Sequence, residues 1–389
     1  MSQASAAAAG RAMNKGGRYG FIDLFRGLAL VVMIETHIVN AYLPGEVRHR
    51  PFFFWLTFIN GLVAPSFLFA SGFSIMLQGK RHWENWLLFR LPFWQQMRRL
   101  GFIMLVAYYS HLDRFKLSKY LHPEDPDIWR KALQVDILQC IVASLLIVHL
   151  LVLVFRKPDR LALGAFSLAM GITLLTPLIW ARDFTQTLPL GIALFLNPHG
   201  ISLFPLFPWI VFILAGTTAA ILFLRSAERG TDERLMRWAF PGGIALIAAG
   251  LLGRFLPFTL PGHNHFYTTS PLYVIIRLGC VFVVCASLYF LEKYKNFRPG
   301  PLLVAGQESL LVYGVHLWLI FALLRGKHVG RLFGLEAGYP GCFALSLVLI
   351  ALLLWLARLY HSLKTAYPSR IRRGQAVIVL TMIVVFLMR

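Results

Sequence analysis

Residues 20–43 read GFIDLFRGLALVVMIETHIVNAYL, an apolar run of membrane-spanning length that nevertheless carries Asp23, Arg26, Glu35 and His37. An ionisable side chain at the centre of such a helix costs about 2.5–3.5 kcal/mol on insertion scales, so each one asks for a partner or a function. At roughly 100° per residue, Asp23, Arg26, Leu30, Met33 and His37 share one stripe. Arg26 and His37 are separated by about three turns, roughly 16 Å of rise. Glu35 is two residues from His37 and points away from it, which makes it a poor partner for that imidazole.

Similar runs recur outward from this one. They cover 20–43, 52–78, 99–112, 132–155, 161–181, 201–224, 238–258, 271–291, 302–324, 339–357 and 374–388. The chain has 389 residues, 58% hydrophobic and 14% charged, with a mean hydropathy of +0.65. That composition excludes a soluble globular domain, a disordered chain and a polar nucleic-acid binder. The 38 Lys+Arg against 17 Asp+Glu sit between the apolar runs, about two to one on the side of the N-terminus, which predicts a cytoplasmic N-terminus. The expected fold class is all-α: a polytopic integral membrane bundle of about eleven transmembrane helices. Residues 1–17 are expected to be a disordered cytoplasmic tail and 18–389 a single transmembrane domain. The cysteines, Cys140, Cys280, Cys285 and Cys342, read as small buried hydrophobes rather than a disulfide or metal framework.

Polar residues inside the other runs extend the candidate site. Asn60 and the Pro65-Ser66 break lie in the second run, Asp136 and Gln139 near the outer end of the fourth, and Arg254 and Arg277 near the outer ends of the seventh and eighth. Gln307, Glu308, Tyr313 and His316 lie in the ninth. His37, His49, Asp136, Gln139, Arg254 and Arg277 are expected in the outer half, and Asp23, Arg26 and Glu308 in the inner half. Bland alternatives stand beside these. Asp23 and Arg26 can pair at i,i+3, Arg254 and Arg277 can reach the interface, and Asp136 can serve the first turn of its helix. His111 and His149 read as packing residues. His263 and His265 form an H-x-H without further ligands, so no metal site is assigned.

The sequence contains no nucleotide-binding, zinc or nucleophile-elbow motif in the right context. A histidine in a polar membrane pocket can act as general base or acyl carrier. Asp136 is an acidic candidate to orient it, and Asn60 or Gln139 can polarise a carbonyl. An arginine half a membrane below suits a phosphorylated donor from the cytoplasm, such as acyl-CoA.

The stretch YGFIDLFRGLALVVMIETH (19–37) resembles the opening signature of transmembrane acyltransferases, and GLVAPSFLFASGFS (61–74) resembles their second. With VDILQCIVASLL (135–146), NPHGISLFPLFPWIVFILAGTTAA (197–220), TSPLYVIIRLG (269–279) and GQESLLVYGVHLWLI (306–320), the chain is similar to the heparan-alpha-glucosaminide N-acetyltransferase catalytic-domain family over roughly residues 18–320. The resemblance implies acetyl transfer from cytoplasmic acetyl-CoA to an amino-sugar or cell-envelope glycan acceptor, with no metal. It implies catalytic histidines at His37 and His49, His37 standing where the lysosomal relative has Asn. Asp136 joins them as a catalytic candidate. Asp23, Arg26, Asn60, Gln139, Arg254, Arg277, Glu308 and His316 are the expected substrate- and donor-binding set. The expected setting is a lipid bilayer, the bacterial cytoplasmic (inner) membrane, and a homo-oligomer is compatible with it. The rival readings are a proton-coupled transporter or flippase, which paired broken helices would favour, and a non-catalytic envelope-assembly protein.

Overall fold

A computed structural model of the chain describes residues 19–112, 117–123, 125–256, 261–263, 265–323 and 338–388. The expected tail lies outside them. Among the described residues there is no strand, and the helices follow in chain order. They are α1 Gly20–Tyr42, α2 Pro51–Asn60, α3 Val63–Leu87, α4 Leu91–Tyr109, α5 Ser118–Leu121, α6 Ile128–Leu133, α7 Ile137–Phe155 and α8 Pro158–Trp180. They continue with α9 Leu190–Leu196, α10 Leu206–Glu228, α11 Asp232–Leu252, α12 Pro271–Lys295, α13 Gly300–Gln307, α14 Ser309–Trp318, α15 Tyr339–Ala366 and α16 Pro368–Met388.

Eight helical stretches are long and apolar enough to cross a membrane, and the bent pair α13–α14 makes up to nine. α1 and α4 are of spanning length but are not among these: α1 carries the three charges Asp23, Arg26 and Glu35, and in α4 Arg98 and Arg99 with two glutamines lower the hydropathy. The chain is therefore a helical membrane bundle, as its hydropathy predicts.

Several expected boundaries shift, and two of them bear on the candidate site. The fourth run does not begin at 132: α6 ends at Leu133, and α7 starts at Ile137 behind an N-cap at Asp136. The ninth run is not one helix. α13 and α14 meet at 86° across Glu308, whose φ of −100° and ψ of 32° leave the helical region.

The chain condenses into two compact units, Met1–Phe67 with Val283–Ile371, and Leu68–Phe282 with Arg372–Arg389. In the first, α1, α13, α14 and α15 pack around a core of Leu30, Met33, Ile34, Ile38, Ala305, Val312, Leu345 and Leu349. The apolar members of the α1 stripe, Leu30 and Met33, are thus buried, as are residues on its other faces such as Phe21, Leu24 and Phe25. Helices in lipid gain little hydrophobic drive from meeting one another and rely on close contact, which small residues permit. A Cβ on Gly27 would fall on the Leu302 carbonyl, and one on Gly306 would fall on the Asp23 carbonyl. α1 and α13 therefore touch backbone to backbone, in antiparallel register. In the second unit the same device joins α3 to α10: a Cβ on Gly72 would meet the Ile213 carbonyl, and one on Gly216 the Phe69 carbonyl. α10 packs along α8, and α7 against α4 and α8.

This packing predicts that Gly306→Ala lowers stability by about 1–3 kcal/mol through overpacking. Gly314→Ala, where an added Cβ meets open space, should be neutral or slightly stabilising. Thermal unfolding in detergent of the two variants beside wild type checks this; equal shifts would remove the close-contact explanation.

Candidate active site

The α1–α13 contact sets the polar partners of the α1 stripe. Gln307 Nε2 donates to Asp23 Oδ2 at 3.0 Å, and Arg26 Nη2 donates to Ser309 Oγ at 2.5 Å. Asp23 also lies in the first turn of α1, where the helix dipole favours a negative charge. Each interhelical bond in a membrane returns on average about 0.6 kcal/mol. Both charges are near the helix end, where insertion costs less than at its centre. Fastening α1 to the α13–α14 corner is thus enough to account for Asp23, and for one edge of Arg26.

Beyond the break, α14 climbs the same face of α1. The rings of His37 and His316 lie with centroids 5.1 Å apart, and further up Tyr42 donates its hydroxyl to the Ile320 carbonyl at 3.0 Å. His316 is fully buried. Its Nδ1 is 3.1 Å from the Val312 carbonyl, which can only accept, so Nδ1 carries the proton. Nε2 is then a bare lone pair, and it is buried without a hydrogen-bond partner. His37 is half-buried, so it is the more accessible of the two imidazoles. Tyr313 completes the cluster with its ring 5.5 Å from that of His316.

The other candidates of this unit are placed as follows. Asn60, the last residue of α2, makes a side-chain hydrogen bond with Glu35. Glu35 thus has a partner, as sequence spacing alone did not suggest. His49 ends a short 3-10 turn, Gly45–His49, and is exposed with no hydrogen bond or ion pair among the described residues. The turn itself is fastened: Arg48 Nη2 donates to the Leu43 and Asn40 carbonyls at 2.9 and 3.1 Å, and the Tyr339 hydroxyl donates to the Val47 carbonyl at 3.1 Å. Glu308 is buried at the helix break. It accepts from His361 Nδ1 at 2.9 Å and from Lys364 Nζ at 2.8 and 3.0 Å. His361 and Lys364 are three apart on α15, and nothing in the sequence shows that they meet Glu308.

Asp136, Gln139, Arg254 and Arg277 belong to the other unit. Asp136 caps α7: its Oδ1 accepts from the Ile137 N–H at 2.7 Å, while Gln139 Oε1 accepts from the Asp136 N–H at 3.2 Å. Gln139 also meets His111 Nδ1 at 3.2 Å. The corner before α7 is tied to the 197–204 segment, bringing two of the family-like motifs together. The Val135 N–H donates to Ser202 Oγ at 3.0 Å, the Leu203 N–H donates to the Val135 carbonyl at 3.0 Å, and Arg130 Nη2 donates to the His199 carbonyl at 2.8 Å. His199 Nδ1 lies 3.2 Å from Asp183 Oδ1. Burial depresses the pKa of His199, with Asp183 opposing, whereas hydrogen bonds from Thr185 hold the Asp183 carboxyl below its ordinary value. His149 Nδ1 meets the Leu145 carbonyl at 2.7 Å and its ring packs on Trp86, the expected packing role. His265 is used locally by Thr268.

The fold and site together define a polytopic membrane protein whose first helix brings a histidine onto a second, buried histidine. Residues 18–254, more than half of the chain, match the family described as "Heparan-alpha-glucosaminide N-acetyltransferase, catalytic", and the chain belongs to that family. It is, in general terms, a membrane acetyltransferase. The match includes His37, His49 and Asp136 and ends before Arg277, Glu308 and His316. No curated protein matches the chain.

The capping geometry makes Asp136 testable. Asp136→Asn keeps an acceptor oxygen and should retain stability, whereas Asp136→Ala should lose about 1 kcal/mol. Unfolding midpoints in detergent read both. An Asn variant that is stable but inactive would return Asp136 to the chemistry.

Proposed function

We propose that the protein transfers an acetyl group from acetyl-CoA to the amine of an amino sugar, with His37 as general base and His316 as its positioning residue. The amine nitrogen attacks the thioester carbon, the N–C bond forms and the C–S bond breaks. His37 takes the proton that the amine loses, and that proton ends on the departing CoA sulfur. The supporting observation is the fixed tautomer of His316. Its Nδ1–H is spent on the Val312 carbonyl, so Nε2 offers a buried lone pair to a ring whose centroid is 5.1 Å away. A small rotation of His37 turns its N–H onto that lone pair and presents its other nitrogen to the acceptor. Arg26, held by Ser309, steadies a phosphate of the donor. His49 stands as the alternative base on an exposed turn. The chain's bilayer is taken to be a bacterial cytoplasmic membrane, with the donor on the N-terminal side.

One observation favours the rival reading of a transporter. The α13–α14 span is broken by 86°, as in the discontinuous helices of transport sites. A transporter moves its substrate without CoA, so the two readings separate in one assay. Purified protein in detergent is given acetyl-CoA with and without glucosamine, and thiol release is followed. Amine-dependent release is expected. It should fall by about 10²–10⁴-fold in His37→Ala, the range for loss of a general base. In His316→Ala it should fall mainly in kcat, with KM for acetyl-CoA little changed. Release that survives His37→Ala and vanishes in His49→Ala would move the base to His49. No release at all would favour transport.

A further inference from the structure

Arg277 lies within α12, and its guanidinium carbon is 4.1 Å from the ring centroid of Tyr273 and 5.2 Å from that of Trp209 on α10. Its Nε is buried and has no hydrogen-bond partner. Among the described residues no carboxylate pairs with it and no backbone carbonyl accepts from it; its side-chain hydrogen-bond partner is Tyr273. Tyr273 packs against Phe266 with centroids 5.4 Å apart, and Phe266 carries the guanidinium of Arg254 at 4.6 Å. Two arginines are therefore strung on one aromatic ladder, Arg277 within it and Arg254 exposed at its end.

Neither ordinary role of a membrane arginine accounts for the Nε of Arg277. A snorkelling arginine runs its head into water; Arg277 is half-buried and its Nε is out of water. A structural one pairs with a carboxylate or a carbonyl, and among the described residues neither meets it. Ring faces compensate a desolvated cation only in part. They hold the guanidinium plane and leave its edge N–H groups, which form the planar fork that suits an oxyanion.

We infer that Arg277, with Arg254 at the entrance, binds an oxyanion carried by a small ligand of this protein.

Sulfate is the probe for the site. Unfolding midpoints of the purified protein are measured in detergent as sodium sulfate replaces sodium chloride at constant ionic strength. Wild type should show a saturable rise. Arg277→Gln should abolish it, Arg254→Gln should weaken the apparent affinity about tenfold, the loss of a charge-assisted hydrogen bond, and the exposed control Arg237→Gln should match wild type. No saturable rise, or the same rise in Arg277→Gln and Arg254→Gln, overturns the site. If Arg277→Gln does not fold, Arg254→Gln decides, since its side chain is exposed.

Discussion

The contact on which the candidate site depends has no side chain in it. Gly27 and Gly306 let the backbones of α1 and α13 touch at the Leu302 and Asp23 carbonyls, and the register of every polar pair above follows from that touch. Gln307 reaches Asp23, Ser309 reaches Arg26, and His316 arrives beside His37 because the chain turns at Glu308 and then climbs α1. Glu308 itself is held by two α15 side chains, so the direction of α14 is fixed by α15 as well as by α1. A side chain at Gly306 would push the helices apart and lift the whole series out of register, well before it met either histidine.

The polar residues of the chain then divide by how their hydrogen bonds are spent. Asp136 and Gln139 spend theirs on the start of α7, and Asn197 and Ser202 on the segments they join. Their presence in family-like motifs is explained by backbone groups that have to be satisfied at helix ends. Asp23 and Gln307 are spent on each other. Several buried atoms are left over. His316 and His149 each keep an unused acceptor, and Arg277 keeps an unused donor. In a protein interior, an unused polar group is the costly one.

Hydropathy made the membrane bundle legible, because the apolar runs of a polytopic protein exceed any soluble core helix in length. It also drew attention to α1, through charges that no spanning helix carries idly. The stripe of Asp23, Arg26, Leu30, Met33 and His37 was readable from helical period alone, and its apolar members are buried in the core. The partners were not readable. The 302–324 run contains no proline at Glu308 to announce a break, and the turn there comes from tertiary demands on Glu308 and Gly306. His316 was one polar residue among several until its neighbour at Val312 fixed its tautomer. Asp136 was readable both as an acid to orient a histidine and as a residue serving the first turn of its helix, and the run from 132 to 155 has no internal marker separating α6 from α7 other than Asp136 itself. The role of Tyr273 and Trp209 had no signal at all, since cation–ring contacts have no sequence period.

The choice of a second histidine, rather than a carboxylate, beside His37 has a physical reason in a bilayer. A fixed carboxylate orients an imidazole well, but it brings a full charge that must itself be desolvated and paired. A neutral imidazole with its Nδ1–H committed to a backbone carbonyl one turn away offers the same acceptor without that charge. The carbonyl of Val312 is an accessible partner because a histidine at i can reach the carbonyl at i−4 within its own helix. Glu35, the one carboxylate two residues from His37, is engaged by Asn60 of α2. In the proposed reading, the arrangement separates the acid from the base that a soluble enzyme would bring together, and lets the orienting group enter the membrane uncharged.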